Sequence, residues 1–291
     1  MTTETPPTPG GVAEPGLLGS GSTAGIVDMP EENYHRHPAL SYSGAKLLLT
    51  ECPAIYKHRL EHPITKYAWD FGHAAHKLVL GVGADIVEVD ADSWRTKAAK
   101  DAADQARAEH KVPLLNEDVA KARAMAAVVH AHPLASALFN PERGTPERNL
   151  FWEDLATDTP LRARLDWLPN NECEPFILAD YKTGDANPRK FSKAAADYMY
   201  FMQAAAYSEA VQTLGLHPYP AFLFVVQSKT PPYPVTVIEL DDAAMDAGRV
   251  QWRKAIDIYR RCIDTDTWPT YSSEVELVSL PYWYLRQLES A

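Results

Sequence analysis

The chain has 291 residues, of which 46% are hydrophobic and 23% charged. These are ordinary proportions for a soluble globular protein, and the length suits one large α/β domain or two small ones. Because no apolar run approaches the roughly eighteen residues of a membrane span and the N-terminus has no basic-then-apolar pattern, we expect neither a membrane span nor export. The formal net charge of −11 is unlike the basic footprint of many DNA-binding proteins, but local clusters of Lys and Arg decide phosphate binding.

The three cysteines, Cys52, Cys173 and Cys262, lie far apart, and no C-x-x-C pair occurs. This spacing supports neither a disulfide framework nor a zinc site, and it is typical of a reducing compartment. We therefore expect the protein to be cytoplasmic.

Composition divides the chain into two parts. Residues 1–28 are rich in Pro, Gly, Ser and Thr and predict a disordered tail, whereas residues 29–291 predict a single domain. A helix is expected to begin after Ser41, a suitable N-cap, and a second helix near Pro53. Further helices are predicted over Tyr67–Leu80, over most of Ser93–Asn140 with an interruption around Lys111–Asn116, over Phe191–Thr213 and over Asp242–Ile263. Strands are predicted near Ile86–Asp90 and over Glu147–Asp154, Leu161–Leu168, Pro175–Thr183, Tyr219–Ser228 and Val235–Leu240.

The chemistry concentrates in the predicted hairpin that joins Leu161–Leu168 to Pro175–Thr183. Because side chains alternate along a strand, Asp180 and Lys182 should share one face with Tyr181 on the other, and strand pairing brings Asp166 beside them. Two carboxylates and one ammonium suit a Mg²⁺ site in which the lysine orients the attacking water. A lone D-x-K more often marks an exposed ion pair, which contributes little to stability.

Two predicted helices supply further polar side chains. Gln203 and Tyr207 lie four residues apart and therefore on one helical face, and Gly72 and His76 have the same spacing on the earlier helix. By itself, His76 is more typical of a hydrogen-bonded core histidine than of a metal ligand.

Taken in order, Gly72-x-x-x-His76, Asp166, Asp180-x-Lys182 and Gln203-x-x-x-Tyr207 resemble the motifs of the RecB-type branch of the PD-(D/E)XK nuclease superfamily. The chain is most similar to the RecE (exonuclease VIII) type of phage and prophage recombination exonuclease, on the segments HPALSYSGAKLLL, FGHAAHKLVL, PERNLFWEDL and the closing WPTY and LPYW. This likeness implies an α/β PD-(D/E)XK (restriction-endonuclease-like) core, with a mixed central sheet flanked by helices.

The resemblance also implies a function. It predicts a metal-dependent exonuclease that degrades linear double-stranded DNA from its 5′ ends, leaves 3′ single strands for recombination and uses one or two Mg²⁺ or Mn²⁺ ions. The expected partners are double-stranded DNA ends and a single-strand annealing protein, and the expected assembly is a homo-oligomeric ring. Two alternatives stay open: another nuclease activity on the same fold, either an endonuclease or a single-strand-specific exonuclease, and a catalytically silent DNA-binding module.

Residue roles follow from the same resemblance. Asp166 and Asp180 would hold metal, helped by His76 and the main-chain carbonyl of Tyr181, while Lys182 orients the nucleophile and Gln203 and Tyr207 act in positioning. Glu147 is predicted as a further metal carboxylate and Glu153 as a weaker candidate, each with an exposed strand carboxylate as the alternative.

DNA contacts are predicted at Ser43 and Lys46, near a helix N-terminus, and at Arg162 and Arg164. For the basic clusters, a solvated surface is an equally good interpretation.

Overall fold

The structure, a computed structural model, describes residues 24–62 and 70–289. Its helices are α1 Glu31–Arg36, α2 Tyr42–Thr50, α3 Pro53–Glu61, α4 Asp70–Leu80, α5 Lys97–Ala108, α6 Asn116–Ala131, α7 Pro133–Leu138, α8 Pro188–Asp197, α9 Tyr200–Thr213, α10 Asp242–Thr265 and α11 Tyr282–Glu289. Its strands are β1 Gly25–Val27, β2 Leu40–Ser41, β3 Ile86–Val89, β4 Val112–Leu115, β5 Gly144–Glu153, β6 Pro160–Pro169, β7 Ile177–Thr183, β8 Ala221–Gln227 and β9 Val235–Glu239.

The larger sheet is mixed, as the sequence predicts. Within the described residues it has seven strands in the order β1-β5-β6-β7-β8-β9, with β2 also paired to β6. Strands β7 and β8 run parallel, as do β2 and β6, whereas the other neighbours are antiparallel. The predicted hairpin of β6 and β7 is confirmed.

Helices cover both faces of this sheet. On one face, Leu178 of β7 belongs to the main core cluster, to which α2, α9 and α10 contribute. On the other face, Ala179 and Tyr181 pack with side chains of α4 and α6. The alternation expected along β7 therefore holds, and each face has its own apolar core.

The alternation of side chains between the two faces of the sheet changes along β6 at Asp166. Leu165 packs in the main cluster but Trp167, two residues later, packs on the opposite face. Strands β5 and β6 pair regularly before and after Glu147. Glu147 itself has a left-handed backbone, with a φ of 51°. Before Asp166 in the chain, β6 pairs with β2, and after it β6 pairs with β7. The sheet therefore forks at Asp166.

Two predicted elements differ from the structure. The helix predicted over Phe191–Thr213 is two helices, because Met199 has a left-handed backbone (φ 57°) that interrupts the helical path. The interruption around Lys111–Asn116 contains strand β4, which pairs in parallel with β3 in a small second sheet. Long-range pairing of this kind is not visible in local periodicity.

The N-terminal boundary also differs. Composition predicts a tail that extends to residue 28, but Gly25–Val27 is strand β1, which pairs antiparallel with β5. Residues 1–23 of the predicted tail and residues 67–69 of the predicted motif helix lie outside the described residues. None of the helices in the described ranges combines the length and apolar character needed to cross a bilayer.

Candidate active site

The carboxylate of Asp180 is fixed from two directions. Lys182, two residues along the same face of β7, places Nζ 2.6 Å from Asp180 Oδ2. From the facing helix α9, Gln203 donates its side-chain amide to Asp180 Oδ1 at 2.6 Å. Asp180 is only 2% exposed, so this is not the exposed ion pair that a lone D-x-K more often marks.

Asp166 lies across the hairpin from Asp180. Trp167 pairs with Ala179, so the next pair in this register is Asp166 with Asp180. The backbone N–H of Tyr181 donates to Asp166 Oδ2 at 2.9 Å. The Asp166 side chain thus takes the place of a backbone acceptor at the point where strands β6 and β7 separate. The sequence-predicted cluster of Asp166, Asp180 and Lys182 is therefore assembled.

Burial and neighbouring charges shift the pKa values of the ionisable groups in this cluster. Loss of solvent raises the pKa of both Asp166 and Asp180 to about 6, and for Asp180 the neighbouring charge of Asp166 adds to the effect. Burial alone would lower the pKa of Lys182, but the two carboxylates outweigh it and raise that pKa above its usual range. One ammonium thus faces two carboxylates, and the cluster attracts a further cation.

His76 approaches Asp166 from helix α4. Its Nδ1 lies 3.6 Å from Asp166 Oδ2, and its ring packs edge-on against Tyr181 at 5.1 Å. Burial, with the charge of Lys182, lowers the pKa of His76 to about 4. The imidazole is therefore neutral near pH 7, which is the form that binds metals.

The side chains of this cluster can be compared with the ligands that a divalent cation requires. In the described part of the chain, no group of three or more His, Cys, Asp or Glu side chains is arranged to hold a metal ion. Two buried oxygens of this cluster nevertheless lack a hydrogen bond, Gln203 Oε1 and Asp180 Oδ2, the latter having only its ion pair with Lys182. Mg²⁺ commonly binds through one or two carboxylates, with water and substrate phosphate supplying its other ligands. Asp166 and Asp180 fit that open arrangement.

Glu147 lies beside this cluster and is held by arginine. Arg164 donates to its carboxylate, and the same guanidinium lies 3.8 Å from Glu31 and 3.3 Å from the amide oxygen of Asn149. Glu147 and Arg164 both line an open cleft of about 1050 Å³. The charge of Glu147 helps to raise the pKa of Asp166, although neither Asp166 nor Asp180 lines the cleft itself. Glu153 lies six residues farther along β5 and is exposed.

The predicted DNA contacts have different surroundings. Ser41 is confirmed as the N-cap of α2, since its side chain accepts from the backbone N–H of Gly44, and Ser43 is exposed beside it. Lys46 lies on the same helix, close enough to Lys182 for their charges to interact.

The two arginines do not form the predicted basic surface. Arg162 is only 6% exposed, because it points to the face covered by α1, stacks on Tyr34 at 4.6 Å and donates to the backbone of His35. Arg164 is paired with two carboxylates, as described above. Neither is a free surface cation in this structure.

Tyr207 is buried in the main core and packs against Tyr42 and Phe222. Sequence reasoning did not single out Tyr42 or Tyr198, which lie with Tyr200 around Lys182 and Lys46. Tyr200 was recognisable from its position one helical turn before Gln203.

Residues 41–281 match the family described as PDDEXK-like domain of unknown function (DUF3799). The chain belongs to this PDDEXK-like family. Among solved structures, its fold is similar to that of a candidate exonuclease from Eubacterium rectale, with a TM-score of 0.56 over 89% of this chain and 98% of that chain. The two sequences are 11% identical, so this similarity shows the fold alone.

No curated protein has significant sequence similarity to the chain. The PD-(D/E)XK fold expected from the sequence is confirmed by this PDDEXK-like membership, whereas the narrower RecE-like assignment stays a prediction.

Proposed function

We propose that the protein is a metal-dependent deoxyribonuclease whose active centre is Asp166, Asp180 and Lys182. The observation that carries this proposal is the buried Asp180, held at the same time by Lys182 and Gln203 and facing a second carboxylate across the fork of the sheet. A purely structural ion pair needs no second, partly buried carboxylate, which raises the electrostatic cost of the arrangement.

The residues divide the work of phosphodiester hydrolysis. Asp166 and Asp180 would hold one or two Mg²⁺ or Mn²⁺ ions, with neutral His76 as an adjacent ligand. When bound, the metal polarises the phosphate and lowers the pKa of the attacking water. Lys182 keeps its proton, so it orients the nucleophile and balances charge that grows on the phosphate. Gln203 fixes Asp180, because loss of that hydrogen bond would free the carboxylate to rotate.

The substrate class extends this proposal. We infer an exonuclease acting on linear double-stranded DNA, 5′→3′, on the strength of the RecE-like motif order and of a neighbour with the same fold that is named as a candidate exonuclease. A ring-shaped homo-oligomer and a single-strand annealing partner belong to the same proposal.

The test is degradation of linear duplex DNA carrying one 5′ or one 3′ label, with Mg²⁺ or with EDTA. We expect early release of the 5′ label that requires metal and is lost in Asp180→Ala and Lys182→Ala. The matched control is the exposed pair Asp185–Lys190, which has a similar 2.8 Å contact on the surface, so Asp185→Ala and Lys190→Ala should keep full activity.

Other outcomes separate the alternatives. Cleavage of a closed circular duplex would identify an endonuclease, and degradation of single strands alone would identify a single-strand-specific enzyme. If wild-type protein with either metal leaves every substrate intact but still binds DNA, the protein is a catalytically silent module and the proposal is wrong.

A further inference from the structure

A line of aromatic rings connects the half-buried Lys182 to the protein surface. Lys182 Nζ lies 5.1 Å from the centre of the Tyr200 ring, and the Tyr200 ring stacks on Tyr198 with centroids 5.5 Å apart. Lys46 Nζ, from helix α2, lies 5.0 Å from the centre of the Tyr198 ring. Each contact is within the range of a cation–π or stacking interaction.

The backbone holds these rings in place. Met199, between the two tyrosines, has φ 57°, a conformation that costs a non-glycine residue free energy and persists only where the surroundings enforce it. The hydroxyl of Tyr42 donates to the carbonyl of Tyr198, which ties α2 to the junction of α8 and α9. Tyr200 is further supported by Phe191, whose ring stacks on it at 5.9 Å.

Exposure differs along the line. Tyr200 is half-buried against Lys182, whereas Tyr198 is 52% exposed. An exposed, backbone-anchored aromatic ring two contacts away from a catalytic ammonium is poorly explained by core packing. Aromatic rings on a rigid support are the usual stacking platforms for bases of single-stranded nucleic acid, and a neighbouring lysine supplies the charge for the adjoining phosphate.

We propose that Tyr198 and Lys46 form a nucleotide subsite, in which a base of the substrate strand stacks on Tyr198 while Lys46 pairs with its phosphate. This inference rests on the proposed function and adds that the strand entering the active centre is unpaired at this point. Lys46, now over the Tyr198 ring, would turn to the phosphate when the base takes its place. Tyr200 is a positioning residue for Lys182 and supports Tyr198 from behind.

The first test measures KM and kcat for metal-dependent degradation of linear DNA by Tyr198→Ala and Tyr198→Phe. Because stacking on one aromatic side chain is worth about 1–3 kcal/mol, we expect Tyr198→Ala to raise KM about 10-fold while kcat changes less than about twofold. Tyr198→Phe keeps the ring and should match the wild type. Tyr219→Ala, which removes a tyrosine that is 85% exposed on the loop before β8, is the matched control and should have no effect.

The second test measures binding directly. A single-stranded oligonucleotide with a terminal 2-aminopurine is titrated in EDTA, and we expect quenching by wild-type protein and Tyr198→Phe but about 10-fold weaker binding by Tyr198→Ala. Lys46→Gln should weaken binding and lower the slope of log affinity against log salt by about 0.7, the contribution of one phosphate contact. This variant keeps the proposal testable if Tyr198→Ala melts at a lower temperature.

The outcomes separate the two levels of inference. If wild-type protein neither degrades nor binds DNA, the proposed function fails and the subsite fails with it. If wild-type protein degrades DNA but Tyr198→Ala and Lys46→Gln keep its KM and its salt slope, only the subsite is wrong. An equal loss in Tyr198→Phe would also overturn it, because a hydroxyl contact rather than stacking would then be responsible.

Discussion

Gln203 reaches from helix α9 to strand β7 and donates a 2.6 Å hydrogen bond to Asp180 Oδ1. This contact links the sheet to the helix on its main core face and leaves the other carboxylate oxygen to Lys182. Both Asp180 and Gln203 are almost fully buried, so the interaction is shielded from water. Because Gln203 belongs to α9, the geometry of this hydrogen bond depends on how rigidly packing holds α9 against the sheet.

Replacing Gln203 with Leu keeps the side-chain volume but removes the donor to Asp180. We expect kcat for DNA hydrolysis to fall about 10- to 100-fold while KM changes less than twofold, because in the proposed mechanism Gln203 orients the catalytic carboxylate. Steady-state kinetics on linear DNA measure the effect. Gln212→Leu, an exposed position on the same helix, is the control. A wild-type kcat in Gln203→Leu would show that Lys182 alone orients Asp180.

Lys182→Met removes the ammonium that pairs with the buried Asp180 and faces the partly buried Asp166. Activity should fall at least about 100-fold. At pH 8 the free energy of unfolding should fall by about 3 kcal/mol, since an unpaired buried charge is left behind, and at pH 5 the loss should be smaller because Asp180 becomes protonated. Urea unfolding at the two pH values measures this difference. Lys190→Met, at an exposed pair, should leave the free energy of unfolding nearly unchanged at either pH.

The two site carboxyls should make stability depend on pH. Their folded-state pKa values of about 6 lie above the ordinary 3.8, so the folded protein binds these protons more tightly than the unfolded chain does. The resulting stabilisation is complete below about pH 4 and is lost as the pH rises through 6. In EDTA, these groups should therefore lower the free energy of unfolding between pH 4 and pH 7, and Asp166→Asn should reduce that slope.

Added Mg²⁺ should have the opposite pH dependence. A cation competes with protons for Asp166 and Asp180, so the rise in melting temperature caused by Mg²⁺ should be small at pH 5 and large at pH 7.5. Thermal melts with Mg²⁺ and with EDTA across this range measure it. The rise should be much smaller in Asp180→Asn and unchanged in Asp185→Asn. A rise that is equal at both pH values would mean that Mg²⁺ binds elsewhere.

Gly248→Ala tests how α10 holds α9 in place. A Cβ at Gly248 would lie 2.3 Å from the carbonyl oxygen of Phe201 and 2.9 Å from the Cβ of Ala205, so backbone must move. We expect a loss of about 1–3 kcal/mol in the free energy of unfolding, together with a lower kcat, because α9 also carries Gln203. Ala247→Ser, at the exposed neighbouring position, is the control. Unchanged stability and activity would show that α10 moves away freely.

Local pattern predicted parts of the site. The shared face of Asp180 and Lys182 on one strand, and that of Gln203 and Tyr207 on one helix, follow from the periods of strands and helices, whereas their grouping into one site was implied by the family resemblance. The hairpin that joins Asp166 to Asp180 was also predictable, since apolar runs and turn residues mark its strands. These relationships are local in sequence, so the chain itself determined them.

Other features depend on contacts between distant segments. Arg162 is a surface cation by composition, yet α1 covers it; Met199 breaks a helix that periodicity continues; and β3 pairs with β4 across more than twenty residues. Tyr198 and Lys46 meet only because α2 packs beside the α8–α9 junction. Which side chains are buried, paired or exposed is set by the packing of elements far apart in the chain, and only the tertiary structure decides it.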